Sequence, residues 1–405
     1  MRYYICMSII LNKKELGTNE LRRNALEILE AGLEAINTEK ILREKVRVEN
    51  DFLLVDGQSF NLQSFNKIIF VGIGKCALEG TKVIEDILGD YLTSGIALDV
   101  VADSAPGFVA PRKIKYLVGT HPYPSEQNVE ATKEILEMTG GLSEKDLVIT
   151  LISGGGSSLF ELPMSGVTLE TIVEKTKEFT ARGADIYELN ALRKSLSQVK
   201  GGKFAEHCAP AKVVSLIFSD VLGNDIATIA SGPTVTSARG GVYNILLVSN
   251  HDALSAMKSK AMDLGYNTNI ETEELSGNAS EVGRELAGKK LEPKTCYLYG
   301  GETTVIVPPD HGQGGRNQEM ALAALPFIPI DSILVCAASD GFDNTPHAGA
   351  IADFELLEKS KELGINPNEY LQKGDSYNFF KKVSGAISTG KLGSNVSDLC
   401  IILRR

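Results

Sequence analysis

Short apolar runs rich in valine, isoleucine and leucine alternate along this chain with longer stretches whose apolar positions recur every three to four residues. The first pattern predicts strands buried on both faces, the second amphipathic helices. Strands are expected at 67–71, 95–101, 115–119, 148–152 and 212–218 in the first part of the chain. In the second they are expected at 245–249, 296–299, 305–307, 331–338 and 399–403. Between them the spacing predicts helices over 18–44, about 77–88, 125–139, 168–182, 252–264, 276–287, 317–325, 353–363 and 367–372. In the first helix Leu21, Ala25, Ile28, Leu29, Leu33 and Ile36 share a face. Two short strands at 46–49 and 51–55, with a turn at Asp56-Gly57, interrupt the pattern. Strand–helix alternation of this kind folds as a parallel sheet covered by helices, the α/β class. At 405 residues the chain exceeds one ordinary core. The Pro-, Gly- and Arg-containing stretch 233–241 is the natural boundary, giving domains 1–235 and 236–405.

The strand ends carry the chemistry. The run 148–152 stops in Ser153-Gly154-Gly155-Gly156-Ser157-Ser158. Glycine backbone there lets an anion approach the N–H groups, and the hydroxyls add donors. The run 67–71 leads into Gly72-Ile73-Gly74-Lys75-Cys76-Ala77, a GxGxxA with a lysine in the first helical turn. It is not a Walker A loop, because no glycine precedes Gly74 at the required distance and Cys76 stands where Ser or Thr belongs. Further strand ends present His121, Asp220, Ser231-Gly232, Glu302, Arg316 after Gly314-Gly315, and Asp340. A basic stretch holds Asn190, Arg193, Lys194, Lys200 and Lys203. Each loop taken singly has a plain structural reading, a tight turn or a solvated face. Together they describe one cleft between two α/β domains, lined by amides, two cations and carboxylates. That set suits phosphoryl transfer, in which donors hold phosphates, carboxylates hold Mg²⁺, and Lys or Arg neutralises transition-state charge. Phosphates are expected on Gly154, Gly155, Gly156, Ser157 and Ser158, near Ser231 and Gly232, with Lys200 alongside. A divalent cation is expected on Asp220, with Glu302 or Asp340.

Composition narrows the classes. With 41 Lys and Arg against 52 Asp and Glu the net charge is −11, which argues against a general nucleic-acid or membrane-surface role. No apolar run reaches the length of a membrane span, and the first residues lack a signal-peptide cleavage pattern; Met7 is an alternative start. Six scattered cysteines with no CxxC pair read as reduced thiols of a cytoplasmic protein. A homo-oligomer is open.

Eight segments in order resemble the class II glycerate kinases, whose C-terminal part is called the MOFRL domain. They are VGIGKCA (71–77), THPYPSE (120–126), ISGGGSSLFELP (152–163), LNALRKSLSQVKGGK (189–203), SDVLGNDIATIASGPTV (219–235), YGGETTV (299–305), GQGGRNQEMAL (312–322) and ASDGFDNTPHAGAIAD (338–353). The resemblance implies an N-terminal Rossmann-like domain with helices on both faces of its sheet and a smaller MOFRL-type α/β domain. It implies phosphorylation of D-glycerate by ATP with Mg²⁺ or another divalent cation, yielding 2-phosphoglycerate in the Entner–Doudoroff branch. It makes Lys75 and Arg316 the principal catalytic residues. The chain departs from the family pattern at Ser125, at Asn344-Thr345-Pro346 and at 390–395. Three other readings stay open: a kinase forming 3-phosphoglycerate, an NAD(P)-dependent hydroxypyruvate reductase using the GxGxxA with Asp99 on the ribose, and a sugar-phosphate sensor.

Overall fold

The structure, a computed structural model, describes residues 8–100, 112–184 and 186–405. Cys6, Met7 and Val101, the last residue of an expected strand, lie outside them. The chain forms two compact units. One contains 38–249 with 393–395; the other contains the chain up to Asn37, 250–392 and 396–405.

In chain order the helices are α1 (Lys13–Leu16), α2 (Glu20–Ala35), α3 (Thr38–Lys45), α4 (Ala77–Leu88), α5 (Glu126–Thr139), α6 (Gly156–Leu159), α7 (Leu169–Ala181) and α8 (Ile186–Leu196). They continue with α9 (Lys203–His207), α10 (Asn250–Asp263), α11 (Ala279–Gly288), α12 (Arg316–Ala324), α13 (Phe354–Glu362), α14 (Pro367–Gln372) and α15 (Ser376–Val383). The expected helix over 18–44 is two helices, broken at Ile36 and Asn37, and Asn19 rather than Thr18 caps α2 by accepting from Arg22 N–H.

The first unit opens with a meander, β1 (Val46–Glu49), β2 (Phe52–Val55) and β3 (Gln58–Asn61). Its main sheet is six-stranded and wholly parallel: β4 (Lys67–Ile73), β5 (Ser94–Asp99), β6 (Ile114–Val118), β7 (Asp146–Ile152), β8 (Lys212–Phe218) and β9 (Val242–Val248). The spatial order is β6-β5-β4-β7-β8-β9. This is the doubly wound dinucleotide-fold order, built outward from β4 in one direction and then from β7 in the other. Every residue of β7 is buried, as its unbroken apolar run requires. Ile69, Val71, Val148 and Val213 pack with Phe160 and Phe204 in one core cluster.

The second unit has a mixed sheet of β10 (Asn267–Leu275), β11 (Thr295–Gly301), β12 (Ser332–Ala338), β13 (Gly349–Asp353), β14 (Ala386–Ile387) and β15 (Asp398–Arg404), ordered β10-β11-β15-β12-β13-β14. Only β10 and β11 run parallel; β15 is inserted antiparallel between β11 and β12. The apolar triplet 305–307 is not a strand: Ile306 is 81% exposed.

The boundary differs from 235/236. The strand expected to open the second domain is β9, the last strand of the first sheet, hydrogen-bonded to β8. The N-terminal helices join the second unit instead. Arg22 donates through Nε and one terminal nitrogen to Asp353 at 2.6 and 2.7 Å, a buried fork, and Leu11 N–H donates to Ser388 O. Spacing cannot show which sheet a strand joins when the partner lies far along the chain.

Candidate active site

In a doubly wound sheet ligands bind where the two winding directions part, outside the carboxyl ends of the strands. Here that point lies between β4 and β7, whose last residues Ile73 and Ile152 are level. Both glycine loops leave from it. Gly74 has φ +118°, and a Cβ on it would stand 2.3 Å from Ser153 Oγ. Only glycine lets the two loops approach so closely. Ser153 Oγ accepts from Cys76 N–H at 3.1 Å, and Lys75 N–H donates to Gly154 O at 2.9 Å.

The second loop turns at Gly155 (φ +84°) into the single-turn α6. Its own carbonyls take two of its amides: Gly156 N–H donates to Ser153 O and Ser158 N–H to Gly155 O. The amides of Gly155 and Ser157 have no backbone acceptor among the described residues. The position of a Cβ on Gly155 lies 3.2 Å from Lys75 Cγ and 3.5 Å from His121 Cδ2. On Gly154 it would lie 1.9 Å from Asp220 Oδ2, which accepts from Asn395 Nδ2 at 3.2 Å. Lys75, His121, Asp220 and Asn395 therefore surround one glycine loop. Ser157 Oγ lies 3.0 Å from Ser231 Oγ. Ala230, Ser231 and Gly232 have φ of 50°, 62° and 60° in succession. Two non-glycine residues held left-handed in a row is a strain that functional sites retain.

Asn128, which patterning does not single out, ties the neighbouring loop down. Its Nδ2 donates to Thr120 O and Ser158 O at 3.0 and 2.9 Å. Its Oδ1 accepts from Thr120 N–H and from the N–H and Oγ of Ser125, the N-cap of α5. The serine that departs from the family pattern thus still caps this helix.

In the second unit Arg316 opens α12. Asp398, 2% exposed, takes its Nε at 2.5 Å and one terminal nitrogen at 3.1 Å; Glu302 takes the other at 2.5 Å. Burial alone would lower the guanidinium's pKa, but the charges of Asp398 and Glu302 raise it well above its ordinary value. Asp343 accepts from the Asn317 and Gln318 N–H groups at the start of the same helix, at 3.1 and 2.8 Å. Burial and the nearby Asp398 push its pKa up to about 6 against those hydrogen bonds.

Residues 24–262 match a model described as a domain of unknown function, DUF4147, and 295–398 match the MOFRL family. A Thermotoga maritima protein named D-glycerate 2-kinase is 35% identical, the match covering 94% of this chain and 98% of that one. The chain belongs to the glycerate 2-kinase family. A Pyrococcus horikoshii glycerate 2-kinase is 33% identical over 95% of this chain and 97% of its own. A crystal structure of the Thermotoga maritima glycerate kinase superposes with a TM-score of 0.80 at 34% identity, covering 95% of this chain and 99% of that one.

Against this family frame one expectation is corrected. Lys200 is not a phosphate ligand: it is fully buried, with Nζ bonded to Glu161 Oε2 at 2.6 Å and Phe160 O at 2.8 Å. Among the described residues no group of three or more His, Cys, Asp or Glu side chains could hold an ion. Glu302 faces Arg316, Asp340 Oδ1 accepts from Phe342 N–H, and Asp220 holds Asn395. Arg316, expected as a catalytic cation, is held by two carboxylates, Asp398 and Glu302. The five cysteines described, Cys76, Cys208, Cys296, Cys336 and Cys400, are buried and free, and burial pushes the Cys76 thiol up to about 12.

Proposed function

We propose that the chain is an ATP-dependent D-glycerate 2-kinase, transferring the γ-phosphoryl group of ATP to the C2 hydroxyl of D-glycerate to give 2-phosphoglycerate and ADP. The family supports the substrate. The observation that carries the chemistry is the Gly154–Ser158 loop beside Lys75, at the point where this sheet takes its ligand. The triphosphate lies on the loop amides and the Ser157 and Ser231 hydroxyls, with Gly232 closing the turn beneath them. Lys75, lying along Gly155, neutralises charge as the phosphoryl group moves. No general base is needed for a loose transition state that depends on positioning and charge. A divalent cation arrives as part of the nucleotide substrate, and Asp220, against Gly154, is the carboxylate it meets there. In the second unit Arg316 reads an anion, with half-exposed Glu302 the neighbour an anion would displace and Asp398 the fixed anchor. Buried free thiols and the lack of any helix long and apolar enough to cross a membrane, among the described residues, agree with a cytoplasmic enzyme.

The reductase reading loses its footing in the first glycine loop. A dinucleotide pyrophosphate needs the free amides at the start of the first helix. Here Lys75, Cys76, Ala77 and Leu78 donate to Gly154 O, Ser153 Oγ, Gly74 O and Asp99 Oδ2 in turn. Asp99, the expected ribose acceptor, is fully buried and occupied with Leu78 and Val100 N–H.

The test is phosphorus NMR of the purified protein with ATP, Mg²⁺ and D-glycerate. A 2-phosphoglycerate resonance is expected. A 3-phosphoglycerate resonance overturns the regiochemistry, and no phospho-product overturns the kinase.

A further inference from the structure

Helix α8 presents a guanidinium with no hydrogen-bond or ion-pair partner among the described residues. It belongs to Arg193, which is half-buried. Arg always carries its charge and five N–H donors, and desolvating such a group without partners is unfavourable. Asn190 stands one turn earlier on the same helix face. It is 3% exposed; its Oδ1 accepts from Ser231 Oγ at 2.7 Å, while its Nδ2 is buried without an acceptor. Two neighbouring side chains of α8 thus hold donors with no acceptor among the described residues.

Both are tied to the glycine loop. Ser231 Oγ, bonded to Asn190, also meets Ser157 Oγ. Arg193 lies near the Glu161 carboxylate and the neutral Tyr123 phenol. Tyr123 belongs to the same short loop as His121, which lies against Gly155. Glu161 is already neutralised by Lys200, so Arg193 contributes one uncompensated positive charge. A single charge on a planar fork matches one carboxylate; a triphosphate carries several charges and already has amides and Lys75.

We propose that Arg193, with the Asn190 amide beside it, binds the carboxylate of the acceptor, a small 2-hydroxy acid. This deepens the kinase reading and rests on it. It assigns recognition of the acid to a residue apart from the phosphate loop.

The test is Arg193→Gln, with Arg193→Lys as the variant that keeps charge but not the fork. D-glycerate is titrated calorimetrically into each protein without nucleotide, and KM is measured for D-glycerate and for ATP. Losing a charge-assisted fork should weaken D-glycerate binding and raise its KM on the order of 10- to 100-fold. The ATP KM and the melting midpoint should stay put, and Arg193→Lys should recover part of the loss. Preference for D-glycerate over uncharged glycerol should shrink in Arg193→Gln. Unchanged D-glycerate affinity overturns the assignment, as does a rise confined to the ATP KM. Wild-type binding of D-glycerate that depends on Arg193, without any phosphorylated product, would sink the kinase and leave the subsite standing. Product formation with equal affinity in both proteins would do the reverse, and no binding to the wild type together with no phosphorylated product would sink both.

Discussion

Replacing Lys200 by methionine separates a structural ammonium from a ligand-binding one. Its Nζ sits in a fully buried position with two acceptors, Glu161 Oε2 and Phe160 O. Among the described residues Glu161 Oε1 has no hydrogen-bond partner, and Lys200 is the cation paired with this buried carboxylate through Oε2. Removing one member of a buried pair costs about 3–5 kcal/mol, because the other charge is left desolvated. For a unit of about 200 residues each kcal/mol moves the midpoint by roughly 2–4 °C, so a fall of about 6–20 °C is expected. Thermal unfolding followed by far-ultraviolet circular dichroism reads this directly. The double variant Lys200→Met, Glu161→Leu should recover most of the loss, since two apolar side chains replace two buried charges. At low temperature, where Lys200→Met is still folded, nucleotide affinity should match the wild type. A variant that melts normally but no longer binds ATP would refute this reasoning and return Lys200 to the phosphate site.

Lys75→Met should lower turnover by about 100-fold or more with little change in melting temperature, which steady-state assays alongside a melt would check. Arg316→Lys should lose the fork on Asp398 and destabilise the protein by about 1–3 kcal/mol, measured by urea unfolding, because an ammonium cannot span both carboxylates. Asp343 titrates near 6 in the fold against an ordinary 3.8, so its ionised form is disfavoured in the native state. Its contribution therefore grows as pH falls from about 6 towards 4 and is lost above 6, on the order of 2–3 kcal/mol. Subtracting the stability–pH curve of Asp343→Asn from that of the wild type should show this slope; a flat difference would contradict it.

Much of the first unit was legible because a parallel sheet covered on both faces writes itself as continuous apolar runs, β7 most plainly. The second sheet was harder to read. β10 is polar and lies at the sheet edge with one buried residue, and β13 is built of small residues, so neither carries a strong period. The apolar triplet 305–307 misled for the opposite reason, being hydrophobic and yet exposed. Of the candidate site, the glycine loops, Lys75, Asp220 and Ser231 were readable. Asn128, Asp398 and Asn395 were not, because their roles are bonds to residues distant in the chain.

The sequence by itself determined the α/β class, the strands of the parallel sheet and the loops at their ends, all of which follow from local burial and backbone freedom. Only the tertiary structure decided which of those loops are open. It closed the start of α4 with four internal hydrogen bonds, buried Lys200 against Glu161, and engaged Arg316 with Asp398 and Glu302. The same lysine or arginine reads identically whether its charge meets a ligand or a buried carboxylate. The difference is a partner that spacing along the chain cannot reveal.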